Sequence, residues 1–373
     1  MSSNKNSIIQ TVKPHSIKKF ELIEMYIKSW AQKLMQNESC NGIIFIDCMC
    51  NSGVYFDEAG DLIEGTAVRV SNALLDVAKD YPAKVVNIYL NDINAARIEE
   101  LKKHIPQDEG NYKVVTSTND ANELLKTIGP QLDGRSHLHY FLLYDPYDAS
   151  IDWKALLPFF RNWGEVMINH MVSDPIRAIT SAKREVTKEK YANTYLADFE
   201  KLLPYGTNRD ALEARVEEII NAAKGERNYY VAAFPFYNGN NSLLYYLIHC
   251  TSNKVGFNLY KKCAWKVFDA QSSSKRTPEY GQLSFTDSGE IVMQVDKNCF
   301  HLLDIAQYLF DKYKGMKEVP LESLWKDLED HPIFPAGGFR PQIKHDLVAT
   351  YGATISQVFS PQKGKKETLI SFP

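Results

Sequence analysis

Residues Gly42-Ile43-Ile44-Phe45-Ile46-Asp47-Cys48-Met49-Cys50-Asn51-Ser52-Gly53 constrain this chain more than any other stretch. An unbroken apolar run, Ile43 to Ile46, ends on an acid and turns at a glycine. Such a run reads as a strand buried on both faces, hence a parallel sheet covered by helices. Ligands of open α/β sheets gather at the carboxyl ends of the strands, where a tight turn presents backbone N–H groups. Asp47, Cys48, Asn51 and Gly53 are therefore candidate cofactor-binding residues. One glycine falls short of a G-x-G-x-x-G fingerprint, so a core strand with a polar end is the competing reading.

The pattern around this strand repeats. Residues 1–12 are polar and read as loose, and Ile17 to Leu34 carries apolar residues at three and four, an amphipathic helix. An acidic turn at Asp57–Asp61 precedes a helix for which Thr66 is the expected N-cap. A second strand, Val85 to Leu90, ends on Asn91-Asp92, and an acid there commonly accepts hydrogen bonds from a nucleotide ribose. After a helix from Asn94 to His104, the third strand, Tyr112 to Ser117, runs into Asn119-Asp120. Both are candidate cofactor contacts, Asp120 either as acceptor for an adenine amino group or as the N-cap of the helix that follows.

The fourth strand, His139 to Tyr144, ends in Asp145-Pro146-Tyr147, which resembles the [Asp/Asn]-Pro-Pro-[aromatic] segment of amino-group methyltransferases with one proline missing. An exocyclic amine is a poor nucleophile because its lone pair is delocalised into the base. A carboxylate and a backbone carbonyl that accept its two hydrogens localise that pair, while an aromatic ring stacks on the flipped base. Asp145, Pro146 and Tyr147 are the candidate catalytic residues. A plain strand-to-loop turn is the alternative.

Trp153 to Trp163 reads as a helix and Gly164 to Asn169 as a fifth strand. Residues 174–228 form a charged helical insertion, read as a lid or as solvated helix faces. Tyr229–Phe234 and Ser242–Cys250 flank Asn238-Gly239-Asn240-Asn241, an antiparallel hairpin, and a helix over Gly256 to Val267 follows. The organisation is thus a helical cap over 1–40, a Rossmann-like domain over 41–270, a serine-rich linker, and a domain over 280–373. Two short strands, three short helices (Leu302–Lys314, Leu321–Leu328, Arg340–Tyr351) and a strand at Thr354–Phe359 suggest a winged helix-turn-helix in this last part. From Gly281 onward 10 Lys/Arg face 12 Asp/Glu, which weighs against DNA binding and leaves Arg340, Lys344, Lys363, Lys365 and Lys366 as the basic residues to test.

The net charge of −3 gives no electrostatic footprint for indiscriminate nucleic-acid binding. Six cysteines without C-x-x-C spacing suit idle thiols in a reducing cytosol rather than a metal site. No stretch approaches a membrane span, so a cytoplasmic protein is expected.

Taken together the chain resembles the three-Cys-motif partner family of bacterial proteins. The resemblance is carried by Lys13 to Leu34, Phe45-Ile46-Asp47 with Gly53-Val54-Tyr55, Glu64-Gly65-Thr66-Ala67, Asp145-Pro146-Tyr147, and Tyr245-Tyr246-Leu247 with Gly256 and Ala264-Trp265-Lys266. It implies a Rossmann-like methyltransferase fold with a C-terminal winged helix, S-adenosylmethionine as cofactor, and a partner resembling radical S-adenosylmethionine enzymes. This chain lacks that partner's C-x-x-x-C-x-x-C motif. Two departures stand out. Asn51 replaces the first glycine of the family's Asp-x-Phe-Ala-Gly-x-Gly, a position where Asn tolerates a left-handed backbone. Asp148 stands where the family has glycine. The expected function is methyl transfer to an exocyclic amine of a nucleic-acid base. The alternatives are a non-catalytic scaffold or sensor subunit and, less favoured, a DNA-binding regulator.

Overall fold

The computed structural model describes the chain outside residues 1–6, 133–136, 149, 161–163, 174, 176–178, 180, 182, 203–208, 225–228, 277–282, 286–290, 294–298 and 361–363. It divides into two compact units, Met1–Leu259 and Tyr260–Pro373.

The first unit is built on a mixed sheet of seven strands among the described residues. These are β2 (Gly42–Asp47), β5 (Val85–Asn91), β6 (Tyr112–Ser117), β7 (Leu138–Tyr144), β8 (Gly164–Met171), β9 (Tyr230–Tyr237) and β10 (Leu243–Thr251). Their order is β6-β5-β2-β7-β8-β10-β9, which is 3-2-1-4-5-7-6 counted within the sheet. The first five are parallel, and β10 runs antiparallel between β8 and β9. This is a methyltransferase-like α/β fold.

The apolar run of β2 is buried on both faces, as expected. Ile44 and Ile46 join Leu142 and Leu125 on one face. On the other, Phe45 stacks on Phe141, which also meets Tyr26 and Trp30 of α1 (Pro14–Met35). The remaining helices are α2 (Thr66–Asp80), α3 (Ala95–Leu101), α4 (Ala121–Gln131), α5 (Trp153–Leu156), α6 (Glu185–Tyr195), α7 (Phe199–Leu202), α8 (Arg209–Lys224) and α9 (Lys254–Val267).

Three expectations need correction. Gln10–Thr11 is not loose; it forms a short strand, β1, parallel to β3 (Val54–Phe56), which in turn pairs with β4 (Leu62–Glu64). Thr66 is the first residue inside α2, and the N-cap is Gly65, whose added Cβ would lie 2.3 Å from the Tyr55 ring. The helix at Trp153 stops at Leu156 and tightens into a 3₁₀ turn, Leu157–Phe159, because Pro158 has no N–H to continue the α ladder. The remainder of that predicted helix, 161–163, lies outside the described residues.

In the second unit the elements run β11 (Leu283–Phe285), β12 (Ile291–Met293), α10 (Leu302–Tyr313), β13 (Val319–Pro320), α11 (Leu321–Asp330), α12 (Arg340–Ala349), β14 (Thr354–Ser360) and β15 (Lys365–Ser371). β13, β15 and β14 make an antiparallel sheet, and β15 is a strand the sequence pattern did not announce. Lys261 is fully buried here, donating to the carbonyls of Leu328 (2.8 Å), Glu329 (3.3 Å) and His331 (2.6 Å) at the end of α11. Arg340 turns inward: its Nε donates to the Ala336 carbonyl and its guanidinium lies 5.2 Å over the Trp325 ring. Lys363 lies outside the described residues. Among the described residues no helix is long and apolar enough to cross a membrane.

Candidate active site

The parallel strands deliver their carboxyl ends to one edge of the sheet, and the candidate cofactor and catalytic residues lie there, Asp47 as the last residue of β2 and the others on the loops. Asn91 ties three of those loops together. Its amide donates to the carbonyls of Cys48 (3.0 Å) and Asn119 (2.9 Å), and its carbonyl oxygen accepts from Ser117 Oγ and Asn119 N–H. Asn119 is thus held by its backbone, while its side chain is exposed.

The first loop makes the predicted left-handed turn. Asn51 has φ 58° and Gly53 φ 71°. The Asn51 N–H donates to Asp92 Oδ2 (3.2 Å), and its side-chain oxygen accepts from the Ser52 N–H. Gly53 cannot be enlarged freely: a Cβ there would lie 2.3 Å from Leu101 Cδ1 and 2.9 Å from Val68 Cγ2, besides carrying a positive φ. We expect Gly53→Ala to cost about 2 kcal/mol of unfolding free energy in a urea melt, from strain and overpacking together.

Asp92 is buried, accepting also from Asn94 N–H (2.8 Å) with Arg97 3.6 Å away. Beside it opens a cleft of ≈ 210 Å³, lined by Cys48, Met49, Ile93, Asp120, Asn122 and Tyr144 and also by Pro146, Tyr147 and Asp148. Ile93 is 70% exposed, an apolar side chain left out on a loop next to an acid. Asp120 serves as the N-cap of α4, accepting from the N–H groups of Asn122 and Glu123, and lines the cleft as well. Tyr144 spans Asn122 and the Asp152 N–H (3.1 Å each), and burial pushes its phenol up to about 12. Cys48 is buried and its thiol is pushed up by burial and then by Asp47, so it lines the cleft as a neutral group.

At the other end of the loops Asp47 is covered and Asp145 half-buried, while Tyr147 is 65% exposed. Asp47 is 3% exposed and accepts from Met49 N–H. Its carboxyl is pushed up to about 7, first by burial and then by the negative charges of Asp145 and Asp92, against the pull of the Met49 bond and Lys19. Asp145 has both oxygens engaged, by Lys19 Nζ (2.6 Å) and Asn169 Nδ2 (2.5 Å). Tyr147 lies over Arg97 (5.1 Å), with its hydroxyl 3.3 Å from Asn51 Nδ2 and 3.2 Å from Gln10 Nε2. The loop is also held from the insertion, where Lys190 of α6 pairs with Asp148 (2.6 Å) and Trp153 Nε1 donates to the Thr194 carbonyl. Among the described residues Asp148 is not one of those with positive φ, so no glycine is required there.

Asn169, Ile93, Asn122 and Gln10 carry no site assignment from the sequence, and Lys19, with His15 and Lys18 a basic first turn that could face a ligand, reads there more simply as solvated charge. Ile93 had a signal, an isolated apolar residue after the strand-end acid, whereas the partner that turns Lys19 inward, Asp145, lies 126 residues away.

No protein-family model matches the chain, and no curated protein matches it. Among solved structures, it is similar to Trm1 from Pyrococcus horikoshii in complex with S-adenosyl-L-methionine, at 13% identity and a TM-score of 0.35, covering 99% of this chain and 96% of that one. It is also similar to the methyltransferase PaMTH1 of Podospora anserina with bound SAH (13%, TM-score 0.28, 60% and 76% covered). A third is human methyltransferase-like protein 13 with SAH (8%, TM-score 0.30, 73% and 98% covered). At these scores the likenesses carry no argument about function, which is drawn from the chain's own geometry.

Proposed function

We propose that the protein binds S-adenosylmethionine and transfers its methyl group to an exocyclic amine of a nucleic-acid base. The observation that supports this most directly is a nucleoside-sized cleft, on one sheet edge, lined by Asp92 and by Pro146 and Tyr147, the two residues that follow Asp145. In this reading Asp92 accepts from the ribose, Ile93 lies against the adenine face, and Asp120 and Asn122 meet its polar edge. Asp47 and the turn from Asn51 to Gly53 hold the amino-acid end. The bound cofactor supplies an electrophilic methyl group on a sulfonium. Asp145 and the Pro146 carbonyl accept the target amine's hydrogens, and Tyr147 stacks on the base once released from Asn51 and Gln10.

The C-terminal unit, with its helix–strand–helix–helix–strand–strand order, is read as a winged helix-turn-helix. The inward-turned Arg340 favours a protein-contact role over DNA reading. The membership in the three-Cys-motif partner family, the radical S-adenosylmethionine-like partner and a cytosolic setting complete the proposal.

Calorimetric titration with S-adenosylmethionine and S-adenosylhomocysteine tests it, with Asp92→Ala as control. Micromolar binding, about −8 kcal/mol, that is lost in the control supports the assignment. Asp145→Ala is expected to abolish methyl transfer to bulk tRNA or DNA, measured with a radiolabelled methyl donor, while cofactor affinity stays near wild type. Full activity in that variant sinks the catalytic role. A second reading, a non-catalytic scaffold, is favoured by the closure of the methionine end under Tyr147 and Lys19. No binding at millimolar cofactor, with stable co-purification of a three-cysteine partner, selects it.

A further inference from the structure

We propose that Lys19 is an internal occupant of the acceptor seat: its ammonium takes the place of the target amine on Asp145, and a target enters only when the strap Gln10–Lys19 gives way. This rests on the reading of Asp145 as the amine acceptor.

Lys19 is 8% exposed, an uncommon burial for a lysine. Its Nζ lies 2.6 Å from Asp145 Oδ2 and 5.5 Å from the centre of the Tyr245 ring. The other carboxylate oxygen accepts from Asn169 Nδ2, and Asn169 Oδ1 is buried with no partner among the described residues. The Asp145–Asn169 pair therefore holds three acceptor oxygens, two filled by N–H donors of the protein itself and one left open. An exocyclic amine carries two hydrogens and suits such a pair. Any amine that binds must first displace a charge-assisted bond, about twice as strong as a neutral one.

The same short segment holds the other half of the target loop. Gln10 Nε2 reaches the Tyr147 hydroxyl, the His15 carbonyl accepts from the Tyr245 hydroxyl at 3.4 Å, and β1 is anchored along β3. The carboxylate is thus paired, and the hydroxyl of the otherwise exposed stacking ring tethered, by one stretch of chain. Its hold on Tyr147 is a single long neutral bond, and the four-carbon stem of Lys19 lets the head swing away without unwinding α1.

Removing the ammonium leaves the Asp145 carboxylate without its cation, a cost that an incoming N–H donor relieves. Titration of Lys19→Met with adenosine, cytidine, guanosine and uridine is therefore the test. Expected is at least a tenfold gain over wild type for one of the three amine-bearing nucleosides and none for uridine. The gain should disappear in the Lys19→Met/Asp145→Asn double variant and be absent in Lys19→Arg. Equal affinity of Lys19→Met and wild type, or an equal gain for uridine, overturns the proposal. Hydrogen exchange of the wild type keeps it testable if Lys19→Met misfolds: at saturating nucleoside, residues 10–13, where β1 pairs with β3, should exchange faster, and unchanged exchange counts against it. A parallel titration with S-adenosylhomocysteine separates the two readings. Failure to bind it refutes the cofactor assignment, while a nucleoside gain in Lys19→Met still supports the occupied seat.

Discussion

Glu165→Ala is expected to lower the unfolding free energy of the N-terminal unit by about 3–5 kcal/mol, the largest loss for any single truncation considered. Glu165 sits on β8, 7% exposed, and its carboxylate accepts from Tyr26 Oη, from His249 Nε2 (2.8 Å) and from Thr251 Oγ1 (3.1 Å). Three elements, α1, β8 and β10, meet on this one group. Truncation strands three buried donors and opens a void, and each orphaned donor costs about 1–3 kcal/mol. At about 2–4 °C per kcal/mol for a unit of this size, the melt should fall by roughly 10 °C. Glu165→Gln keeps the shape and two acceptor lone pairs, so it should lose less than half as much. Equal melting of Glu165→Ala and wild type would falsify the keystone role.

Cofactor affinity is expected to rise with pH through neutrality. The carboxyl of Asp47 stands at about 7 in the free protein, and only its ionised form pairs with an ammonium. Below that value the dissociation constant should grow by up to about tenfold per pH unit, and Asp47→Asn should flatten the profile at weak affinity. Stability runs the other way. The folded-state pKa lies above the ordinary carboxylate value of 3.8, so the protonated form is favoured in the fold. Its contribution is fully present below about pH 4 and is lost as pH rises through about 7. Asp47→Asn should accordingly melt higher than wild type at pH 8 and differ little at pH 4. A pH-independent calorimetric affinity, or a variant that melts lower at pH 8, contradicts this account of the site.

The periodicity of this chain made the sheet legible. β6 falls where the run Tyr112–Ser117 placed it, β5 extends one residue beyond Val85–Leu90, and the β9–β10 hairpin folds about Asn238–Asn241. Strand-end acids were legible for the same reason, since β-branched and aromatic runs stop where polar side chains meet the loops. The left-handed Asn51 was legible from its place at a glycine of the family pattern, together with the tolerance of Asn for that backbone. What could not be read was tertiary choice. Nothing local says that Lys19 rather than Lys18 turns inward to Asp145, or that two residues of a polar leader pair with β3. Gly65 outcompetes Thr66 as N-cap because the Tyr55 ring occupies the space a side chain would need, a packing fact no capping preference contains. The helix expected over Trp153 to Trp163 ends early on a local signal, Pro158, that apolar periodicity does not take into account.

The insertion of β10 between β8 and β9 bears on how the polypeptide reaches this state during synthesis. β8 has no neighbour on its outer side until residues Leu243–Thr251 have left the ribosome, 84 residues after Glu165 in the case of its partner His249. Through that interval a growing chain exposes a bare strand edge and an unpaired acid, the two features that invite wrong association. Fragments ending before residue 243 are for this reason poor candidates for independent expression, and the 174–228 insertion is no dispensable delay, since Tyr191, Tyr195, Val216 and Ile220 are buried in one core cluster with β2 and β8.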